Sequence, residues 1–414
     1  MKRLSLACVV MLVLVMLVAS VSCGGNPTAT PTRAAQATPT PTAGEFTLGA
    51  SLALTGGGAP WGIFERNMLE MTRDDINAAG GMKVGGKTYL IKLIVYDDGY
   101  TPAGGTTNAN KLVFNDKVQY IAAFGGGITP AIQAISEPNK VIVFPAAYGK
   151  AVLKGTNYTF RLNADSAQFA LMIYPWIKQN NPNIKNIAIL GENVSAIVEL
   201  MTFDREAAKK IGWNIVSDQL ADAGTKDFAP FATKAISANP DLIIVQDSPA
   251  NLALMLKAVY EGGFKGLRAT TTSIDPTTML TITSKESMEG LVSGIPDWQS
   301  TMVPKTANDF YARYIGKFGP PFQIVSAEQY PMMYLLKKVF EQTGSFDPDK
   351  AKAAMEAPGF TFDTLYGPSK FGNSGGLYEA PRQAEVPLFV SQIKDGKNVT
   401  LIVNSAPNYA ELTK

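Results

Sequence analysis

The sequence predicts an α/β protein of two lobes, each built on a parallel β-sheet with helices on both faces. Short apolar runs rich in β-branched residues alternate with segments whose apolar residues have helical spacing. Because these runs are apolar nearly throughout, we expect strands that are buried on both faces, which is typical of parallel sheets. The alternation restarts after residues 159–161, so a second unit of similar size and order follows the first.

The first unit alternates predicted strands with predicted helices. Its first helix is expected to end at Gly80 and Gly81, because glycine readily adopts the left-handed conformation that closes a helix. The predicted strands are 46–54, 88–98, 118–125 and 141–147, and the predicted helices are 67–79, 106–115 and 130–139.

The second unit repeats this order, and a third part follows it. Asp395-Gly396 predicts a tight hairpin turn within the final strand pair, 388–403. The predicted strands of the second unit are 186–192, 213–220, 241–247, 267–273 and 290–296, and its predicted helices are 196–212, 228–239 and 250–262. The predicted helices of the third part are 307–318 and 326–343.

The order of these units also predicts how the lobes are connected. A chain that builds one lobe, then a second, and then returns with helices must cross between the lobes several times. We expect lobe one to comprise 45–161 and 298–376, and lobe two 162–297 and 377–414. The cleft between two such lobes, at the carboxyl ends of the strands, is the natural place for a ligand.

Composition excludes several classes of function. The 414 residues include 37 Lys and Arg, 35 Asp and Glu and no histidine. The near-neutral charge argues against nucleic acid as a partner, and the lack of histidine removes every Ser-His or Cys-His nucleophile pair. No GxSxG, P-loop or HExxH motif is present, and the carboxylate pairs Asp74-Asp75 and Asp97-Asp98 lie in contexts that look structural. We therefore predict a binding protein rather than an enzyme, and no cofactor or metal.

The N-terminus predicts export and lipid anchoring. Lys2 and Arg3 precede an apolar stretch, as in a secretory signal, and the segment before Cys23 resembles a bacterial lipobox, although Ser20 stands where leucine is usual. We predict a signal peptide at 1–22, lipidation of Cys23 and a Thr/Pro-rich extended tether at 23–44. The alternatives are a simple secreted protein or an uncleaved membrane anchor, since about 18 apolar residues could just span a bilayer.

The body of the chain resembles the branched-chain amino acid binding proteins, the type I periplasmic-binding-fold solute receptors of ABC importers. The resemblance covers 45–403 in order, with few gaps. The segments that carry it are LGASLALTGGGAPWG, NMLEMTRDDINAAGGMKVGGKTYLIKLIVYDDGYTP, TKDFAPFATKAISANPDLIIV, QTGSFD and FDTLYGPSKFGNSGG. The resemblance implies two Rossmann-like lobes joined by a multi-crossing hinge, which close on a ligand like a clamshell and then dock on the permease.

The resemblance also implies ligand-binding residues in lobe one. Trp61 stands where the family places an aromatic residue beside the ligand, and its alternative is a packing role. Gly127 and Thr129 lie in the loop where the family binds a carboxylate with backbone N–H groups and a hydroxyl, which suits a helix N-terminus. The alternative for Thr129 is a plain helix cap. In the next loop, Ala147 would offer its backbone, and Tyr148 replaces a small hydroxyl residue.

Lobe two departs from the family pattern. Ala196 stands where the family often has an aromatic wall, and Thr272 falls near the position of the acid that binds the ligand ammonium. Asp247, with Ser248 beside it, or Asp275 could supply that acid, and the alternative for each is a cap or a surface acid. A buried zwitterion without such a partner would lose several kcal/mol.

These departures leave two ligand chemistries open. Either Asp247 or Asp275 binds an ammonium group, or the ligand is not an α-amino acid. Trp298, after the second predicted crossing, could line the cleft with Trp61 and Tyr148 and suit a flat or aromatic acid or an amide.

The sequence as a whole predicts a monomeric, extracytoplasmic, lipid-anchored receptor of an ABC importer. Its partners would be a small ligand (an amino acid, an amide or a small carboxylate, aromatic ones included) and the permease subunits, with membrane contact through the anchor only. The alternative is a ligand-sensing lipoprotein that reports to a membrane signalling partner.

Overall fold

The computed structural model describes residues 42–272, 274–322 and 327–404. The predicted signal peptide, Cys23 and nearly all of the predicted tether lie outside the described residues. In the described part of the chain, no helix combines the length and the apolar character that crossing a bilayer requires.

Helices and strands alternate along the chain, as the sequence predicts. The helices are α1 (Ala59–Ala78), α2 (Pro102–Asn110), α3 (Thr129–Ser136), α4 (Ser166–Asn180), α5 (Ser195–Ile211), α6 (Ala229–Ser237), α7 (Pro249–Glu261), α8 (Pro276–Met279), α9 (Lys285–Met288), α10 (Lys305–Phe318), α11 (Met332–Thr343) and α12 (Pro348–Glu356), with short 3-10 helices at Gly56–Gly58 and Lys150–Val152 and a π-helical turn at Lys111–Asn115. The strands are β1 (Thr42–Leu52), β2 (Met82–Val84), β3 (Lys87–Asp97), β4 (Tyr120–Phe124), β5 (Ile142–Ala146), β6 (Asn186–Glu192), β7 (Asn214–Ala221), β8 (Leu242–Gln246), β9 (Leu267–Ala269), β10 (Val292–Ser293), β11 (Phe362–Thr364), β12 (Gly367–Ser369), β13 (Phe371–Gly372), β14 (Gln383–Ala384), β15 (Leu388–Lys394) and β16 (Lys397–Asn404).

Two separate sheets form the centres of two lobes. Lobe one has the five-stranded order β2-β3-β1-β4-β5, in which all pairs are parallel except the β2–β3 hairpin. Lobe two has the seven-stranded order β16-β15-β10-β9-β8-β6-β7, parallel from β10 to β7 and completed by the antiparallel β15 and β16. The predicted α/β fold and the hairpin at Asp395-Gly396 are confirmed, and both lobes belong to one compact unit.

The segment between the two last crossings packs on lobe one. Phe64 of α1 contacts Tyr314 of α10, with ring centroids 4.1 Å apart. Phe46 of β1 contacts Phe340 of α11 at 4.9 Å. The chain therefore passes from lobe one to lobe two, back to lobe one and again to lobe two, which makes three crossings. The residue boundaries of the lobes stay a prediction.

Helices α1 and α4 differ from the predicted pattern for identifiable reasons. Helix α1 begins eight residues before the predicted start, because Pro60 is well suited to a first helical turn. Helix α4 was not predicted. It contains Pro175 in its interior and buries most of its residues, so neither a clean apolar stripe nor an uninterrupted run marks it.

Replacing Gly62 with alanine is expected to lower the free energy of unfolding by about 1–3 kcal/mol. A methyl group on Gly62 of α1 would lie 2.1 Å from the carbonyl oxygen of Ala53, and backbone cannot yield as a flexible side chain can. Gly57→Ala is the control, since a methyl group there meets no atom within 4 Å. Urea unfolding measures both, and equal stability of the two variants would contradict this packing of α1 on the end of β1.

Candidate functional site

The carboxyl ends of the parallel strands carry the candidate site, because loops from both lobes meet there. In lobe one these loops follow β1, β3, β4 and β5, and in lobe two they follow β6, β8 and β9. Described hydrogen bonds join the two edges: Ser166 of α4 donates through its N–H and its Oγ to the Tyr148 carbonyl, each at 3.2 Å, and Lys150 N donates to Glu199 Oε1 at 2.6 Å. Lys150 follows β5 and Glu199 lies on α5, so the contact joins one lobe to the other.

Three aromatic rings lie together at the edge of lobe one. The half-buried Trp61 stacks on Phe124 with centroids 5.8 Å apart and planes inclined by 18°. Tyr100 lies 6.5 Å from Trp61 and 5.9 Å from Phe124, and 39 % of its surface is exposed. Trp61 is among the residues predicted from the sequence, whereas Tyr100 and Phe124 are not. Their positions at the ends of β3 and β4 could have identified them, since the site was expected at strand ends.

The glycine loop before α3 opens onto free space. A methyl group built on Gly126 or Gly127 meets no atom within 4 Å. The Thr129 hydroxyl is fully buried and donates to the Gly125 carbonyl at 2.8 Å, so its proton is already used inside the loop. The N–H groups of Gly126 and Gly127 are therefore the better candidates for binding an anion, because those of Ile128 and Thr129 already donate to the Gly125 carbonyl.

The loop after β5 is held by hydrogen bonds from buried side chains. The Ala147 carbonyl accepts hydrogen bonds from Asn163 Nδ2 at 2.9 Å and Arg161 Nη1 at 3.4 Å. The Tyr148 ring is half-buried and packs edge-on against Phe169, with centroids 5.5 Å apart. The carbonyl of Ala147 is thus occupied within the protein, which leaves the ring of Tyr148 as the feature of this loop that can form a wall.

Asp247 carries a buried carboxylate oxygen that lacks a hydrogen bond. The residue directly follows β8 and is only 2 % exposed. Its Oδ1 accepts from Ser248 N at 2.7 Å, whereas Oδ2 has no hydrogen-bond partner in the described structure. Burial raises the pKa of the Asp247 carboxyl to about 6, and the negative charge of Glu192 contributes to the increase. A buried acceptor in this state favours a cationic or donating partner.

Glu192 is the neighbour of Asp247 on the adjacent strand. It ends β6, which pairs in parallel with β8, and it is buried. Its two oxygens accept from Gly224 N at 2.5 Å and from Asn251 Nδ2 at 3.3 Å. Both oxygens of Glu192 therefore accept hydrogen bonds within lobe two, whereas Asp247 has an oxygen that can accept one from a ligand. Glu192 was not predicted as a site residue, although it lies at a strand end as Asp247 does.

The remaining predicted residues of lobe two have local roles. Ser248 caps the start of α7 without a side-chain hydrogen bond to that helix. Asp275 caps α8, accepting from Thr277 N at 3.1 Å and from Thr278 Oγ1 at 2.5 Å, which is the capping alternative. Thr272 is nearly buried and its N–H donates to Thr270 Oγ1 at 3.2 Å.

For two further predicted residues, the structure describes no side chain that lines the cleft. Trp298 is 7 % exposed and its ring contacts Phe322 at 4.7 Å and stacks on Tyr311 at 6.4 Å. It contributes to an aromatic core rather than to an exposed surface. Ala196 stands in the first turn of α5, and its side chain lies outside the described residues.

Two α/β lobes whose strand ends face each other define the class of two-lobed solute-binding proteins. Residues 45–398 match the family model described as periplasmic binding protein, and the chain belongs to this family. The predicted resemblance is thereby confirmed. Family membership also supports a solute-binding rather than an enzymatic class.

Known proteins of this kind resemble the chain over most of its length. "Leu/Ile/Val-binding protein homolog 3" of Brucella melitensis is 23 % identical over 337 residues, which cover 80 % of this chain and 89 % of the relative. The leucine-binding protein LivK of Thermotoga maritima has a TM-score of 0.72 and 21 % identity, covering 86 % of this chain and 98 % of LivK. A solute-binding protein of Rhodopseudomonas palustris BisB5, solved with 3,4-dihydroxybenzoic acid, has a TM-score of 0.72 and 22 % identity over 88 % and 98 %. These structures share the fold with the chain.

Proposed function

We propose that the protein is an extracytoplasmic substrate-binding protein of an ABC importer, anchored by a lipid at Cys23, which captures an amino acid by closing its two lobes. The ligand carboxylate would lie at the N–H groups of Gly126 and Gly127, next to the start of α3. The ammonium group would lie at Asp247 Oδ2, and the rings of Trp61, Tyr100 and Phe124 would contact the ligand side chain.

The observation that carries this proposal is the buried, unpartnered oxygen of Asp247. A carboxylate that is 2 % exposed and has one oxygen without a hydrogen bond is costly unless a cation or donor satisfies that oxygen. A ligand ammonium would do so, and Asp275 is less suited because its carboxylate already caps α8. The names of relatives that bind leucine, isoleucine and valine support the same ligand class.

The alternative ligand class is an aromatic acid without an amino group. It is favoured by the stacked rings in lobe one and by the relatives solved with benzoates. In that case a protonated Asp247 would donate to the ligand instead of binding a cation. Transport by an ABC permease and a monomeric state belong to the proposal in either case.

A thermal-shift panel distinguishes these classes. An amino acid present at 1,000 times its dissociation constant should add about 4 kcal/mol to the free energy of unfolding and raise Tm clearly. We expect branched-chain amino acids to stabilise the purified protein, and their counterparts that lack the amino group to have little effect. Asp247→Asn should abolish the response to amino acids.

The control for this experiment is Asp275→Asn, which makes the same chemical change while asparagine can still cap α8. It should keep the response of the unmodified protein. Stabilisation by benzoates or other acids without an amino group, but not by amino acids, would contradict the ammonium assignment. A protein that responds to no amino acid, amide or carboxylate would contradict the proposed ligand classes altogether.

A further inference from the structure

The peptide unit that joins Gly149 and Lys150 is held on both of its polar sides. The Gly149 carbonyl accepts from Arg161 Nη1 at 2.6 Å. The Lys150 N–H donates to Glu199 Oε1 at 2.6 Å. A hydrogen bond from a neutral N–H to a carboxylate is stronger than one between neutral groups. We call the second of these contacts, Lys150 N to Glu199 Oε1, the interlobe hydrogen bond.

The two groups that hold this peptide belong to different parts of the molecule. Arg161 is fully buried in the first crossing between the lobes. Glu199 lies in the second turn of α5, which packs on the sheet of lobe two, and it is half-buried. Lys150 begins the 3-10 helix that follows β5 of lobe one. The interlobe hydrogen bond therefore depends on the relative position of the lobes.

The glycine at position 149 leaves room for the same carboxylate to approach the peptide closely. Its φ of −68° and ψ of 150° are allowed for any residue, so backbone conformation does not require glycine there. A methyl group on Gly149 would, however, lie 2.4 Å from Glu199 Oε2. A methyl group at this position would therefore displace the Glu199 carboxylate, which is the end of a flexible side chain, from the Lys150 N–H.

We propose that Glu199 is a positioning residue that holds the loop after β5 against lobe two and thereby stabilises the ligand-bound arrangement of the lobes. The inference rests on the proposed function, since it assumes a ligand between the lobes. Ala147 and Tyr148 directly precede the held peptide, so the same contact fixes the wall that this loop offers to a ligand. Ligand release requires the lobes to part, and parting breaks the interlobe hydrogen bond.

The first test is made without a ligand and again with the most stabilising compound of the thermal-shift panel. Hydrogen exchange of the Lys150 amide, measured in the full chain, reports directly on its bond to Glu199. Glu199→Ala should speed this exchange about tenfold or more, whereas Glu199→Gln should preserve most of the protection because its amide oxygen still accepts. Glu261→Gln, an exposed glutamate on α7, is the control for a lost surface charge. Unchanged exchange in Glu199→Ala, both without and with the compound, would overturn the proposal.

The second test is a double-variant cycle on ligand affinity, using the most stabilising compound of the thermal-shift panel. Glu199→Ala should weaken binding about tenfold, mainly through faster dissociation, and leave the ranking of ligands unchanged. Gly149→Ala should weaken binding in the unmodified protein but have little further effect in the Glu199→Ala background, because the clash partner is gone. Additive effects of the two substitutions, or unchanged affinity with faster Lys150 exchange, would overturn the link between this contact and ligand binding.

Failure of the proposed function has a different signature. A protein that binds no compound of the panel but still shows faster Lys150 exchange in Glu199→Ala would retain the interlobe hydrogen bond and lose the proposed ligand. That outcome would overturn the positioning role for a ligand, and it would leave the contact itself as a purely structural one.

Discussion

Replacing Arg161 with methionine is expected to lower the free energy of unfolding by about 3–5 kcal/mol. The Arg161 side chain is fully buried and donates to Gln383 Oε1, to the Gly149 carbonyl and to the Tyr378 hydroxyl, each at 2.6 Å. It also pairs with the buried Asp165, with 3.5 Å between Nη2 and Oδ2. Methionine would remove a donor from each of these oxygens and leave the buried Asp165 carboxylate without its cationic partner.

The hydrogen bonds of Arg161 also connect two crossings between the lobes. Arg161 bridges to Gln383 in β14, so one side chain connects the first and third crossings. Asp165 additionally caps α4, accepting from Gln168 N at 2.9 Å. Adding Asp165→Asn to Arg161→Met should recover part of the loss, because asparagine removes the unpaired charge and can still cap the helix.

Urea unfolding measures this effect, and Arg205→Met is its matched control. Arg205 also pairs with an aspartate, Asp218, at 2.6 Å, but about a third of each side chain is exposed. Exposed pairs contribute about 0–1 kcal/mol. A loss of that size in Arg161→Met would show that the buried network contributes no more than a surface pair.

The stability of the protein is expected to fall as pH rises from 5 to 8, and Glu328→Gln should remove much of this dependence. Glu328 is 5 % exposed, and its Oε2 has no hydrogen-bond partner in the described structure. Burial raises the pKa of its carboxyl from 4.5 to about 8, opposed only in part by a hydrogen bond from the backbone of Ala164.

The direction follows from proton linkage. Between about 4.5, the ordinary pKa, and about 8, the folded state keeps the proton of Glu328 while the unfolded state releases it. The stabilisation is complete below the lower value and is lost as pH rises to the higher one, by up to about 1.4 kcal/mol for each pH unit. Burial also raises the pKa of Asp204 to about 7, so that residue adds a dependence of the same sign.

The measurement is the free energy of unfolding at pH 5, 6, 7 and 8 for the two proteins. Glutamine cannot ionise, so the stability of Glu328→Gln relative to the unmodified protein should increase by roughly 3 kcal/mol over this range. For Glu261→Gln, an exposed substitution of the same kind, the free energy of unfolding should change with pH as it does in the unmodified protein. A parallel curve for Glu328→Gln as well would contradict a neutral Glu328 in the folded protein.

The fold could be predicted because its strands are local signals. The runs that became β4 and β5 are apolar at every position, β8 is apolar up to its last residue, Gln246, and in the structure every residue of these strands is buried. Helix α12 was missed although Asp347 and Pro348 are ordinary start signals, because the segment around it was interpreted as irregular. Elements whose signals are interrupted, such as α4 with Pro175, need tertiary packing to identify them.

The candidate site was only partly accessible from the sequence. Asp247 could be predicted because it follows a strand, and the carboxyl ends of parallel strands lie at the same edge of the sheet, where a ligand is expected. The hydroxyl of Thr129 could not be assigned, since its bond to Gly125 depends on how the glycine loop closes. Glu199 has no local signal at all, because its partner Lys150 lies 49 residues earlier in the chain and in the other lobe.

The three crossings also determine when each lobe can fold. Strand β10 pairs with β15 at Val292 and Gln392, and Phe46 of β1 packs against Phe340. Both cores thus contain contacts between segments that are far apart in the chain, which makes folding slow. Neither lobe can complete its core while the C-terminal part of the chain is still being synthesised. The chain would therefore stay incompletely folded until its C-terminal segments have been made. The predicted export signal at the N-terminus would act on the chain in that state, before it crosses the membrane.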